Sequence, residues 1–203
     1  MVDNESTDKT ESDDTRQKII AAALELFGEI GYKRATTRLI AERAEINEVT
    51  LFRHFGKKQN LLTACVAEFN AVGFSDNMEH YLTGNYPDDI AQMARAVIKD
   101  MAERFGTLRL LICDSVDMPE LRDAAIQGSQ HNQGLVVDYF QRQIAAGAVR
   151  PDLDAEVLAH AFESLFSSYV LFQAVFNAGH AQMLPEETIR QLVDVFVRGT
   201  INQ

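Results

Sequence analysis

TTRLIAERAEINEVTLFRHFGKK, residues 36–58, reads as two short helices joined by a tight turn. The first runs from about Thr37 to Ala44, with Leu39, Ile40, Ala41 and Ala44 at helical apolar spacing. Asn47 is placed as an N-cap, because its short side chain can accept from the open N–H groups of the next helix. That second helix, about Glu48 to Phe55, turns Leu51 and Phe55 to one face and Glu48, Thr50, Arg53 and His54 to the other. Gly56 ends it, and Lys57 and Lys58 open the next helix. Two helices, a short turn and a polar outer face make a helix-turn-helix, whose second helix suits the DNA major groove.

The charge distribution supports this reading. The 203-residue chain carries a formal net charge of −11, which by itself would repel nucleic acid. Residues 16–58 nevertheless hold nine Lys/Arg against five acids, whereas residues 59–203 hold nine against nineteen. A local basic patch, and not the total, steers a protein to phosphates. Nearly half the residues are apolar, enough for a core in one large domain or two small ones. No apolar run approaches the length of a membrane span, and the N-terminus lacks the apolar stretch of a signal peptide. Cys65 and Cys113 lack metal-ligand spacing and are expected to be reduced, buried thiols in a cytoplasmic protein.

Taken in order, residues 1–13 are an acidic stretch almost free of large apolar side chains, expected to be disordered. A first helix follows from Asp14 or Thr15 to about Ile30, with Ile19, Ile20, Ala23, Leu26 and Phe27 on its apolar side, and Gly31 stops it. Residues 14–58 are thus set apart as the DNA-binding domain and 59–203 as a second, helical domain. Its expected helices lie near 58–72, 88–104, 107–115, 119–146, 154–178 and 185–200. With no strand pattern, the expected fold class is all-α.

Gly31–Leu62 resembles the DNA-binding domain of the TetR family of bacterial repressors. The resemblance rests on Gly31-Tyr32, Thr36-Thr37, Ile40-Ala41, Thr50-Leu51-Phe52, His54-Phe55, Lys58 and Leu61-Leu62. It implies a homodimer on a palindromic operator in double-stranded DNA, released by a small-molecule effector. By position, Thr36, Thr37, Phe52, Lys57 and Lys58 would meet phosphates and sugars. Arg38, Glu48, Val49, Thr50, Arg53 and His54 would lie near bases, with Asn47 at the helix head. Two residues depart from the family pattern. Glu45 stands where the turn usually has Gly, so it is strained if that residue needs positive φ. Phe52 replaces a usual Tyr, which removes a phosphate hydrogen bond and leaves an apolar contact in its place.

The resemblance also implies dimerisation through the last two helices. Leu158, Phe162, Leu165, Tyr169, Phe172 and Phe176 alternate four and three apart in a heptad-like seam. A second stripe beside it includes Val157, Ala161, Ser164, Ser168 and Val175, and Leu192, Val193 and Phe196 are offered by the final helix. The polar centre of the 119–146 helix, Gln127 to Gln133, either lines a cavity or faces water. In the first case His131 would orient a ligand against walls of Phe105, Tyr139, Phe162 and Phe166. No nucleophile has an adjacent base and no two histidines have metal-binding helical spacing, so neither enzyme activity, metal nor cofactor is expected. Two other readings stay open: a DNA-binding dimer without a ligand, and a helical ligand-binding protein whose N-terminal hairpin is only structural.

Overall fold

A computed structural model describes residues 4–71, 75–115, 118–176 and 183–202. Nine α-helices follow one another there: α1 (Asn4–Ile30), α2 (Thr37–Arg43), α3 (Glu48–Phe55), α4 (Lys58–Ala71), α5 (Tyr86–Glu103), α6 (Phe105–Asp114), α7 (Pro119–Ala145), α8 (Ala155–Phe176) and α9 (Glu186–Thr200). A 3-10 helix, Ser75–Tyr81, precedes α5 in a stretch expected to be loop. The all-α class stands: among the described residues the β-structure amounts to one isolated bridge, Val149 to Ile201, which ties the α7–α8 loop to the end of α9.

Helix α1 begins at Asn4, ten residues before the expected start at Asp14. Residues 1–3 lie outside the described residues, and 4–13 are helical instead of irregular. The physical reason is cooperativity. Ile19 to Phe27 are anchored in a core, and a nucleated helix propagates into residues that could not nucleate it.

Two apolar clusters form, and they do not divide the chain at residue 58. The smaller gathers Ile19, Ile20, Leu26 and Phe27 of α1, Ile40 and Ala41 of α2, and Leu51 and Phe55 of α3. It also takes Leu61, Leu62, Cys65 and Val66 of α4, then Leu110 and Leu111 of α6 and Leu121 of α7. Cys65 is buried there, which pushes its thiol pKa up to about 12. Cys113 is exposed, contrary to the expectation of two buried thiols. The larger cluster fills the space between α5, α7, α8 and α9, with Phe140, Phe162, Phe166 and Phe196 packed ring against ring at 4.9–6.3 Å. Helix α6 joins the two, placing Phe105 in the larger cluster and Leu110 and Leu111 in the smaller.

Two sets of buried polar groups in the larger domain satisfy one another. The Asp89 carboxylate accepts from the backbone N–H and hydroxyl of Thr83 at 2.6 and 2.8 Å, from Gly84 N–H at 3.2 Å and from the Tyr139 hydroxyl at 3.3 Å. The Tyr86 and Thr200 hydroxyls are 2.6 Å apart, linking the first turn of α5 to the last of α9.

Candidate nucleic-acid interface

The motif is built by its caps. Asn47 accepts from Thr50 N–H at 2.8 Å and opens α3, as expected, and Thr36, expected only at the DNA backbone, accepts from Leu39 N–H at 3.2 Å and opens α2. Leu51 and Phe55 bury one face of α3. Gly56, at φ +70°, ends it, and the Asn60 side-chain amide closes the end by donating to Phe55 O at 2.8 Å. Arg43 in the last turn of α2 donates to Glu25 at 2.9 Å and Glu29 at 3.2 Å, fixing α2 across α1. The Arg43 hydrogen bonds hold the Glu29 carboxyl below its ordinary pKa.

Glu45 adopts φ +56°, the left-handed conformation that the family pattern meets with glycine. A side chain there costs about 1–2 kcal/mol, against which glycine would lose about 0.5–1 kcal/mol in unfolded-chain entropy. Glu45→Gly is therefore expected to raise the unfolding free energy by about 0.5–1 kcal/mol. A urea midpoint equal to or below wild type would contradict the strain.

The expected contact residues divide into three groups. Arg38, Val49, Phe52, Arg53 and Lys57 point into solvent, with Arg38 paired to exposed Glu42 at 3.0 Å. Glu48 and Thr37 face each other: the Thr37 hydroxyl donates to the Glu48 carboxylate at 2.5 Å, and both are half-buried. Glu48 thus braces α2 against α3, where the outer polar face had been expected. Thr50 is likewise occupied, its hydroxyl donating to Asn47 at 3.0 Å.

His54 is half-buried, its Nε2 sealed from solvent and without a hydrogen-bond partner among the described residues. Lys58 also turns inward. Its ammonium donates to the Tyr32 carbonyl and sits 4.1 Å from the Tyr32 ring centre. Burial lowers its pKa, and the Asp114 charge opposes that shift. Lys58 was expected at a phosphate; a carbonyl and an aromatic face, absent from any linear reading, hold it instead. Leu39 was missed in the opposite sense. Assigned to the apolar side of α2, it is exposed, because the buried arc of α2 is set by Ile40 and Ala41.

A helix-turn-helix on a three-helix base, followed by a larger helical domain, is an arrangement with known relatives. The family "Bacterial regulatory proteins, tetR family" matches residues 19–65, and "AefR-like transcriptional repressor, C-terminal domain" matches 88–199, more than half the chain. The chain belongs to the TetR family. The uncharacterized regulator YvkB of Bacillus subtilis is 23% identical over 185 residues, 91% of this chain and 96% of that protein. The transcriptional repressor AcnR of Corynebacterium diphtheriae is 27% identical over 191 residues, 94% of this chain and 95% of that one. A TetR-family structure from Mesorhizobium loti superposes with a TM-score of 0.75 at 21% identity, over 93% of this chain and 95% of that one.

This TetR-family protein is a DNA-binding transcriptional regulator and not an enzyme. None of its described helices is long and apolar enough to cross a membrane. Its ligand-wall expectations are corrected by packing. Phe105, Tyr139, Phe162 and Phe166 are buried in the packed core, where they fill space instead of lining it. The polar centre of α7 faces water, with Gln127, Ser129, Gln130 and His131 exposed. His131 does reach an open groove of about 680 Å³ between α7 and the 3-10 helix, with Met78, Leu135 and Ala145 on its floor and Glu79 and Asp138 beside it.

The seam on α8 also splits. Leu158 and Phe162 turn into the subunit's own core, as do Val193 and Phe196 of α9, so none of these four is available to a partner. Leu165 and Leu192 are half-buried against the same core. Tyr169, Phe172 and Phe176 are exposed together with Val157 and Val175, and Val195 of α9 is exposed as well. The apolar arc of α8 is wider than one stripe, and the core takes its inner half.

Proposed function

We propose that this regulator is a repressor that binds a palindromic operator as a homodimer and leaves it when a small molecule occupies the domain formed by residues 59–203. The observation that carries the reading is the combination of a basic helix-turn-helix with an uncovered apolar face on α8 and α9. A dimer built on that face would place two α3 helices roughly 34 Å apart, one turn of the double helix. The repressor name of the Corynebacterium relative supports the sign of regulation. The groove beside His131 is the place we assign to the effector; Glu79 there is paired with Arg142 at 3.0 Å, and Asp138 supports a hydrogen-bond-donating molecule. Such a protein would work in the cytoplasm.

At the DNA, Thr36 and Lys57 are assigned to phosphates and Arg38 to a guanine, whose O6 and N7 suit the planar guanidinium. Arg38→Ala should weaken operator binding by about 1–3 kcal/mol and relax preference at one position per half-site. Lys57→Ala should weaken all duplexes alike and flatten the salt dependence by roughly one contact per subunit. Lys58→Ala should act mainly on folding stability, since its ammonium is held by Tyr32. Titrations of the three variants against operator and scrambled duplexes at several salt concentrations separate these roles. Unchanged DNA binding in both Arg38→Ala and Lys57→Ala would reject the interface.

A further inference from the structure

Among the described residues before Ile126, the exposed large apolar side chains are Leu39, Val49 and Phe52, and all three lie in the helix-turn-helix. Single exposed apolar residues are ordinary on a protein surface. A valine that is 77% exposed and a phenylalanine that is 44% exposed, one helical turn apart on α3, form a local patch that the subunit itself does not cover. Arg53, four residues after Val49, shares that face, and its guanidinium has no partner among the described residues. The surrounding segment, 16–58, is the net-positive part of an otherwise acidic chain, so the occupant of the patch is polyanionic.

The polar candidates at the head of α3 are committed elsewhere. The Glu48 carboxylate holds the Thr37 hydroxyl at 2.5 Å, the Thr50 hydroxyl donates to Asn47 at 3.0 Å, and His54 is half-buried. What the first two turns of α3 present outward is therefore aliphatic and aromatic, next to one guanidinium. In the major groove a single base offers an apolar group to such a surface, thymine through its C5-methyl. The first residues of a recognition helix are those that reach base edges.

We propose that Val49, with Phe52 beside it, reads thymine methyl groups in the operator, and that Glu48 is a positioning residue which sets the angle of α3 through Thr37. This assignment rests on the DNA-binding reading above and adds the chemistry of the bases recognised. It requires thymine at one or two positions of each half-site, and it removes the cytosine amine that a base-facing Glu48 would have preferred.

The test begins by selecting preferred duplexes from a randomised pool with the full-length protein. Each thymine of the selected duplex is then replaced in turn by deoxyuridine, which lacks only the methyl. Binding should weaken about fourfold per methyl, the worth of one buried carbon, at one or two thymines per half-site, and stay unchanged at the others. Val49→Ala should abolish the uracil sensitivity at one of those positions and Phe52→Ala at the other. Both side chains are exposed, so thermal unfolding of each variant should match wild type. Thr37→Val should alter affinity without creating or removing uracil sensitivity. Uniform indifference to uracil, or sensitivity that survives both alanine variants, would overturn the assignment and leave DNA binding intact. If no duplex is enriched, the DNA-binding reading beneath it fails too.

Discussion

Phe172→Glu is expected to convert the protein to a folded monomer and to lower operator affinity by about 10²–10⁴-fold, the advantage of tethering two recognition helices together. Phe172 and Phe176 are 68% and 69% exposed, their rings 4.6 Å apart, and Val157 earlier on α8 is 63% exposed. Ala161, Ser164 and Ser168 are exposed between them and are small enough to admit a second helix closely. A carboxylate in the middle of such an interface would lose its water without gaining a partner, which several kcal/mol of desolvation forbids. In the monomer it would stay hydrated, so folding is not at stake. Substituting Leu165 would be less informative, because that side chain packs partly on its own subunit's core and a charge there would mix unfolding with dissociation. Sedimentation equilibrium, with circular dichroism to confirm folding, reads the outcome. A dimer of unchanged affinity would remove the α8 face from the proposal.

Gly28→Ala is expected to destabilise the protein by about 1–3 kcal/mol, the cost typical of overpacking. A Cβ on Gly28 would lie 2.6 Å from Gly106 Cα and 3.0 Å from its carbonyl carbon, so α1 and α6 would have to part. No flexible side chain is there to yield. The reverse substitution, Gly106→Ala, meets Gly28 Cα at 3.1 Å and should cost less. Gly134→Ala, on the exposed side of α7 with nothing within 4 Å, should instead stabilise by about 0.5–1 kcal/mol through helix propensity. Denaturant unfolding of the three variants tests the order, and Gly28→Ala at least as stable as Gly106→Ala would refute the close crossing. The neighbourhood gives the crossing its importance. Arg104, immediately before α6, donates to the Phe69 carbonyl near the end of α4 at 2.6 Å and lies 4.2 Å from the Phe69 ring centre. Phe105 enters the larger core and Gly106 rests on α1. Gly106 therefore seats the larger domain on α1, while Arg104 and Phe105 before it tie α6 to α4 and to the larger core, and spacing α1 from α6 strains that junction.

Local rules were sufficient wherever a feature depends on neighbours in the chain. The all-α class, the Asn47 cap, the Leu51 and Phe55 face of α3 and the stop at Gly56 follow from spacing, a short polar side chain and a missing Cβ. The position of Glu45 was legible only through the family resemblance, which meets that turn with glycine, and the structure gives it φ +56°. Tertiary structure decided what each side chain had left to offer. Periodicity placed Leu158 and Phe176 on one seam, but a broad apolar arc contains two faces, and only the packing of α5, α7 and α9 selects the inner one. Phe162 and Tyr139 are equally apolar as pocket wall or as core filling, and the distinction depends on whether neighbouring helices leave space between them. Glu48 and Lys58 carried charges that suggested contact with DNA. Thr37, eleven residues away, and Tyr32, twenty-six residues away, engage them first, because folding brings those partners within hydrogen-bond range and sequence distance does not.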